Sequence, residues 1–358
     1  MKPSICAGIC AVVLFSVSTG VCAPPYPRSE TIETIVWDYG SHADAAPGSD
    51  LWPTTWADDN HLYTSWGDGG GFDGDNSAGR VEIGVARVEG SGHNWQGYNV
   101  WGGYNPESSQ APTSGKCNGG IVSIDGTLYL FVTEQWAWLR CKLWKSVDHG
   151  MHWTDLGWIF DEPGGAFGAP AIVQYGKDYQ GARDNYVYMY SKRDRTVLDS
   201  DLLLARVPKN QIEQRNSYEF VRTLNGGVPV WTPDITLAMA VFYDARGVEW
   251  GYNISYNAGV GRYLFAMRRD STGSWGIYDA PEPWGPWTTV VSYPELGTWS
   301  GGSSDLINFC FPTKWISADG TGLWMIYSEA DSFDVIRGEL RMKTDTQAPA
   351  APNGLVVR

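Results

Sequence analysis

The chain has 358 residues and is acidic, with 26 Lys and Arg against 40 Asp and Glu and a formal net charge of −14. It contains no basic run to neutralise phosphates, so nucleic acid and anionic membrane surfaces are excluded as partners. Glycine (43), Trp (19) and Tyr (19) are abundant and long helical periodicity is nearly absent, which points to many short aromatic strands and an all-β architecture.

In chain order, Met1-Lys2, the apolar run 5–16 and the small-x-small exit Val21-Cys22-Ala23 read as a secretory signal peptide over residues 1–23. The run is too short for a comfortable membrane span. Gly20-Val21 before Cys22 makes a poor lipoprotein signal. The expectation is a secreted protein, extracellular or periplasmic, with a mature chain of about 335 residues, enough for one large β domain. Three cysteines remain: Cys117, Cys141 and Cys310. In an oxidising compartment Cys117 and Cys141 could bridge, leaving Cys310 buried and free; the alternative is three small core residues. Their spacings do not make a zinc site.

Residues 29–39 read as a lead-in strand. The stretch 47–74 then carries two aromatic runs, Trp52–Trp56 and Leu62–Trp66, around Asp58-Asp59-Asn60, whose side chains favour tight turns. This is a β-hairpin. With its turn centred on Asp59, Asp50 falls opposite Asp68, and directly opposed residues have Cβ atoms about 5 Å apart. Two carboxylates that close cannot both ionise cheaply, which is the setting acid/base or nucleophilic carboxylate chemistry needs. The competing reading makes both residues simple turn formers at strand ends. Beyond the hairpin lies an acidic glycine loop, 69–79, in which Asp73, Asp75 and Asn76 could ligate a structural calcium ion, although the spacing does not match a calcium loop in full. The alternative is a flexible loop over a site. No other cofactor is expected.

Asp125-Gly126 marks a hairpin turn between short strands. Residues 146–153, Ser-Val-Asp-His-Gly-Met-His-Trp, resemble the Asp-box turn on the outer rim of sialidase-type propeller blades; Asp148, Gly150 and Trp153 are then structural. Further strand pairs follow, with residues 208–215 as the one plausible short helix. The units recur at roughly 50–60 residues: about 48–112, 113–163, 164–229, 230–295 and 296–344. Five such units make a five-bladed β-propeller over residues 24–344, with site residues on the innermost strands around the axial cavity. A propeller closes on itself, so a monomer is expected. Residues 345–358 resemble the linker and first strand entering a fibronectin type III module.

Several stretches together resemble a family of secreted five-bladed propellers long described only as a domain of unknown function, whose characterised members are endo-acting D-arabinanases. They are Ser49-Asp50-Leu51, Trp66-Gly67-Asp68, the 203–209 run LLARVPK, SYEF at 217–220, SYNAGVGRYL at 255–264 and Trp284–Trp287. The resemblance implies a glycoside hydrolase with Asp50 and Asp68 as its catalytic pair. Here Trp52 replaces the family's glycine and Gly69-Gly70-Gly71 its usual Thr-aromatic continuation, which bears on the substrate. Such a pair would supply one acid and one nucleophile or base; Asp50 is assigned the second role and Asp68 the first. A carboxyl separation near 5 Å would mean retention and one above about 6.5 Å inversion.

Aromatic faces suit sugar rings, so Trp52 and above all Trp66 are candidate platforms. Asn118, Asp234 and Asp305, each entering a blade, could touch substrate, although turn capping competes for both aspartates. The partner is a polysaccharide or oligosaccharide. Two alternatives stay open: a propeller polysaccharide lyase drawing on His42, Tyr63, Arg80, Tyr188 and Arg193, and a non-catalytic carbohydrate-binding propeller. No arginine trio for a sialidase stands out.

Overall fold

A computed structural model describes residues 23–109, 114–117, 119–133, 139–194, 200–249, 251–269, 274–293 and 306–344. Residues 1–22, most of the expected signal peptide, and residues 345–358, the expected fibronectin-like linker, lie outside these residues. Within them, short apolar strands alternate with Gly, Asn and Asp turns, and the helical segments are single 3-10 turns. After β1 (Ile32–Ala45), blade one comprises β2 (Asp50–Trp56), β3 (Leu62–Gly67), β4 (Ile83–Glu89) and β5 (Gln96–Trp101). Blade two comprises β6 (Ile121–Ile124), β7 (Thr127–Thr133), β8 (Cys141–Ser146) and β9 (Thr154–Phe160). Blade three comprises β10 (Ala171–Ile172), β11 (Tyr186–Lys192), β12 (Asp201–Pro208), β13 (Glu219–Asn225) and β14 (Val228–Thr232), with β15 (Ala240–Tyr243) also on β12. Blade four comprises β16 (Asn253–Asn257), β17 (Arg262–Arg268), β18 (Trp275–Ala280) and β19 (Thr288–Tyr293). Blade five comprises β20 (Leu306–Cys310), β21 (Gly322–Glu329) and β22 (Phe333–Met342), with β1 as its outermost strand. The expected five-bladed β-propeller is the fold.

The first strands of the blades surround the axis. Parallel bridges Gly119↔Ala171, Gln174↔Ser255 and Tyr252↔Phe309 join neighbours there. Each blade buries both faces against adjacent blades, so β3 is buried along its whole length and shows no polar alternation. The apolar clusters accordingly lie between blades. One joins Trp52, Trp66 and Phe72 of blade one to Ile326, Phe333 and Val335 of blade five.

Two boundaries differ from the sequence reading. The strand expected as a lead-in instead closes the ring, pairing Ile35 with Leu340 and Trp37 with Gly338. Blade five supplies only three strands after residue 296, and β1 covers the edge that β22 would otherwise expose. Removing residues 24–45 strips away buried Ile32, Ile35 and Trp37. At about 2 kcal/mol for each apolar side chain, this truncation is expected to lower Tm by more than 10 °C, roughly, in a thermal melt. Blade three also runs past residue 229 to Tyr243. On β12, β13 pairs only with Ala205 and Arg206, which leaves Asp201–Leu203 to pair with β15. The expected helix at 208–215 is reduced to 3-10 turns at Lys209–Gln211 and Arg215–Ser217.

The turn at 146–153 joins β8 to the outermost strand β9. Asp148 accepts from Ser146 Oγ (2.8 Å) and His152 N (2.9 Å), Gly150 has φ +87°, and buried Trp153 donates Nε1 to Gly150 O (2.9 Å). Cys117, Cys141 and Cys310 are all buried free thiols, so no Cys117–Cys141 bridge forms. Burial pushes Cys117 and Cys310 up to about 12, which keeps them protonated and unreactive.

Candidate active site

The hairpin turn is centred where the sequence places it, with Trp56 opposite Leu62. The register then slips between Leu51 and Thr54, so Asp50 pairs with Gly67 and Asp68 lies one residue beyond β3. A β-bulge causes the slip: Leu51 and Trp52 have φ +81° and +59°. Pro53, which has no N–H for a ladder bond, is tolerated beside such an irregularity. Asp68 also leaves the extended conformation, at φ +57°, and donates its N–H to Glu82 O (3.2 Å).

The aspartates nevertheless share one locus, at the end of the axis where the inner strands begin. A Cβ built on Gly67 would stand 2.8 Å from Asp50 Oδ1 and 2.9 Å from Lys116 Cδ, so only a glycine lets both approach. Lys116 Nζ lies 2.8 Å from Asp68 Oδ1, and Arg80 Nη2 lies 3.1 Å from the same oxygen. The side chain of Lys116 is 5% exposed, that of Asp68 25% and that of Arg80 47%. Lys116 is fixed by its backbone: it exchanges N–H···O bonds with Thr133 at the end of β7 (3.1 and 2.8 Å), and Thr133 Oγ1 donates to its carbonyl (2.9 Å). Blade two thereby presents a cation to a carboxylate of blade one.

The glycine loop packs over the start of β2. Gly71 N donates to Ser49 Oγ (2.9 Å), and Asn99 braces the loop by accepting from Phe72 N (2.9 Å) and donating to Gly70 O (3.0 Å) and Phe72 O (2.9 Å). Gly69 adopts φ +67°, with the Gly48 carbonyl and Ser49 hydroxyl occupying the place of a side chain. Among the calcium candidates, Asp75 Oδ1 is taken up by Ser77 N (2.6 Å), Ser77 Oγ (2.8 Å) and Ala78 N (2.6 Å), and Asn76 Oδ1 accepts from Arg80. These backbone bonds hold the Asp75 carboxyl below its ordinary range.

The expected sugar platforms are displaced. Trp52 and Trp66 are completely buried, stack on each other at 5.6 Å and donate to Ser49 O (3.1 Å) and Gly69 O (3.3 Å). Neither offers a face to a ligand; both support the loop from beneath. Asp234 is exposed after the outermost strand β14 and caps a 3-10 turn through Thr236 N (2.9 Å), away from the axis. Asn118 and Asp305 lie outside the described residues. Lys116 is the residue that the sequence reading missed. Its signal is positional, because it lies shortly before inner strand β6 much as Asp50 lies at the start of β2.

Of the residues named for a lyase, only Arg80 stands beside the aspartates. Tyr63 OH donates to Asp59 (2.8 Å) and Tyr188 OH to Asp184 (2.7 Å), both at the opposite, turn end of their blades. That end also holds a cavity of about 210 Å3, lined by Trp56, Tyr256 and neutral groups and by no carboxylate. Arg193 pairs with Asp201 (2.8 Å). His42 Nε2 lies 2.9 Å from buried Asp334, which raises the imidazole above its ordinary value. A raised folded value adds stability that is full below about pH 6.5 and is lost as pH rises through the raised value. In thermal melts, His42→Gln is therefore expected to lower Tm at pH 5.5 and to lower it less at pH 8.5.

The family described as a domain of unknown function, DUF4185, matches residues 81–303. That span is more than half of the chain and begins after the hairpin. None of the curated proteins matches. Among solved structures, a putative hydrolase from Bacteroides ovatus is similar at 10% identity, covering 81% of this chain and 85% of its own, with a TM-score of 0.52. The catalytic domain of a Coprinopsis cinerea GH62 α-L-arabinofuranosidase is similar at 8% identity, covering 86% and 98%, with a TM-score of 0.52. At these identities the likeness is one of fold: the propeller is shared with glycoside hydrolases.

Proposed function

Because the chain belongs to the DUF4185 family and folds as a propeller of the kind glycoside hydrolases use, we propose that it is a secreted glycoside hydrolase that cleaves a polysaccharide with Asp50 and Asp68. The observation that carries this reading is the convergence of the two aspartates at one end of the axis. What supports it is that Asp50 lies beside Gly67 and Asp68 on Lys116, whose stem adjoins the same glycine, although a bulge moves the two aspartates out of register. Glycoside cleavage needs one carboxylic acid to protonate the leaving oxygen and one carboxylate to attack the anomeric carbon or to activate water. The Asp50 carboxyl against Gly67 and the Asp68 carboxyl on Lys116, whose stem lies against the same glycine, are two groups that could meet that need. An arabinan is the substrate the sequence resemblance suggests, and the arabinofuranosidase neighbour is compatible with it.

The test is a product screen. The mature protein is incubated with D-arabinan, L-arabinan and a panel of neutral and acidic polysaccharides, and reducing ends and ultraviolet absorbance are followed together. New reducing ends without absorbance support the hydrolase. Absorbance rising with the reducing ends would mean β-elimination and a lyase. Binding without either signal would mean a carbohydrate-binding propeller.

A further inference from the structure

We propose that the cavity at the turn end of the axis is a second carbohydrate site, which holds one neutral sugar ring of a polysaccharide against Trp56 and Tyr256, away from Asp50 and Asp68. This goes beyond the hydrolase reading: the far site binds polymer and does no chemistry.

The site is built from four blades. Trp56 ends inner strand β2 of blade one, and Tyr256 lies one residue before the end of inner strand β16 of blade four. Gly176 and Gly181 come from the loop after β10 in blade three, and Thr313 from the 3-10 turn after β20 in blade five. They line a cavity of about 210 Å3. Pockets for drug-sized ligands run to roughly 300–1,000 Å3, so this space suits a single sugar ring.

The lining has what a sugar needs. Both aromatic rings are half-buried and keep a face toward the cavity, and such rings cover the apolar face of a sugar. They are also held in place. Trp56 donates Nε1 to Asn60 Oδ1 (3.1 Å), and Tyr256 packs on Tyr263 at 4.8 Å and on Tyr175 at 5.7 Å. A platform fixed in advance loses little freedom when a ligand binds. The wall from blade three carries no side chain: a Cβ on Gly181 would stand 2.7 Å from Gly176 N, so backbone passes against backbone there. Thr313 Oγ1 donates to Tyr175 O, which leaves its lone pairs to accept from a sugar hydroxyl.

The charges select a neutral sugar. No charged side chain lines the cavity. The nearby cations are engaged elsewhere, Lys314 Nζ on Asn60 O (2.6 Å) and Arg183 on both carboxylate oxygens of Glu282 (2.8 and 2.9 Å). A uronate carboxylate seated here would be left without a partner. Asp50 and Trp56 stand at the two ends of β2, about 20 Å apart at roughly 3.3 Å per residue. The ring bound at Trp56 therefore belongs to a different stretch of polymer from the one at the aspartates. Its effect is to keep the protein on the polymer and raise the effective concentration of cleavable bonds.

The test compares wild type, Trp56→Ala and the double variant Ala258→Glu/Ala318→Glu by native affinity electrophoresis. The gels contain D-arabinan, L-arabinan, a neutral xylan, polygalacturonate or no polymer. Ala258 and Ala318 are exposed at the rim of the cavity, so the glutamates crowd its mouth without entering the core. At least one neutral polymer is expected to slow the wild type, polygalacturonate is not, and both variants are expected to lose most of the retardation. On the polysaccharide found by the screen, KM is expected to rise about tenfold in both variants with kcat unchanged, while kcat/KM on a short oligosaccharide of the same polymer stays as in wild type. A wild type slowed by no neutral polymer, or variants slowed as strongly as wild type, would overturn the proposal while leaving the hydrolase reading intact. Retardation lost in Trp56→Ala alone would mean that the indole acts on the fold and not on a sugar, and would overturn it too. A wild type that is slowed but cleaves nothing would overturn the hydrolase reading, and the variants would still decide whether the cavity binds.

Discussion

Asp50→Asn and Asp68→Asn are each expected to lower kcat/KM on the cleaved polysaccharide by about 10²–10⁴-fold, the range for removal of a positioned acid or base. The asparagine is close in size to the aspartate and keeps hydrogen-bonding capacity, so the fold is retained. Asp50→Asn is expected to melt within a few degrees of wild type, whereas Asp68→Asn removes the carboxylate charge beside the buried Lys116 ammonium and is expected to melt lower, so the kinetics are run where a thermal melt shows both to be folded. The two losses combine far from additively, because both groups act on the same bond in one step. The double variant is expected to be scarcely slower than the worse single. Asp234→Ala, by contrast, removes only an exposed cap at the rim and leaves kcat/KM unchanged. Equal and modest losses at Asp50, Asp68 and Asp234 would mean that none of them touches the reacting atoms.

The second large effect is on stability. Trp66→Ala is expected to cost about 3–5 kcal/mol, the usual range for removing a buried tryptophan, and to lower Tm by about 10 °C. Trp66 is completely buried, stacks on Trp52, and fills the space above Gly71, Gly84 and Gly103, where any side chain would collide with its ring. Three glycines shaped around one indole leave a cavity that neighbouring side chains cannot fill. The glycine loop rests on that ring, so the variant also loosens the cover of Asp68. At a temperature where the variant stays folded, kcat falls more than KM rises. A residue that served as a sugar platform would behave the other way, with KM raised and Tm hardly moved.

How far the chain could be read in advance follows from these residues. The propeller was legible because blade repetition and turn chemistry are local: Asp125-Gly126, for example, marks the hairpin between β6 and β7. The closing role of β1 was not legible, because its pairing with β22 spans about three hundred positions and leaves no local trace. The aspartates were found from symmetry about Asp59, yet the argument was off by one residue. Nothing in Leu51-Trp52-Pro53 except the proline announces a bulge. Trp52 and Trp66 were misplaced for a related reason. A propeller blade is buried on both faces, so alternation does not separate tryptophans in the core from those facing a cleft. Lys116 escaped notice because its partner lies forty-eight positions away on another blade. Only the comparison of residues that precede inner strands would have raised it.

The most direct measurement is a crystal structure of Asp50→Asn soaked with an oligosaccharide of the cleaved polymer. The expected result is the scissile bond seated between residue 50 and Asp68, with the glycosidic oxygen within hydrogen-bond distance of one and the anomeric carbon about 3–3.5 Å from the other or across one water. A sugar seated elsewhere, for example in the Trp56–Tyr256 cavity at the other end of the axis, with the aspartate locus empty at saturating ligand, would contradict the assignment of Asp50 and Asp68 as the catalytic pair.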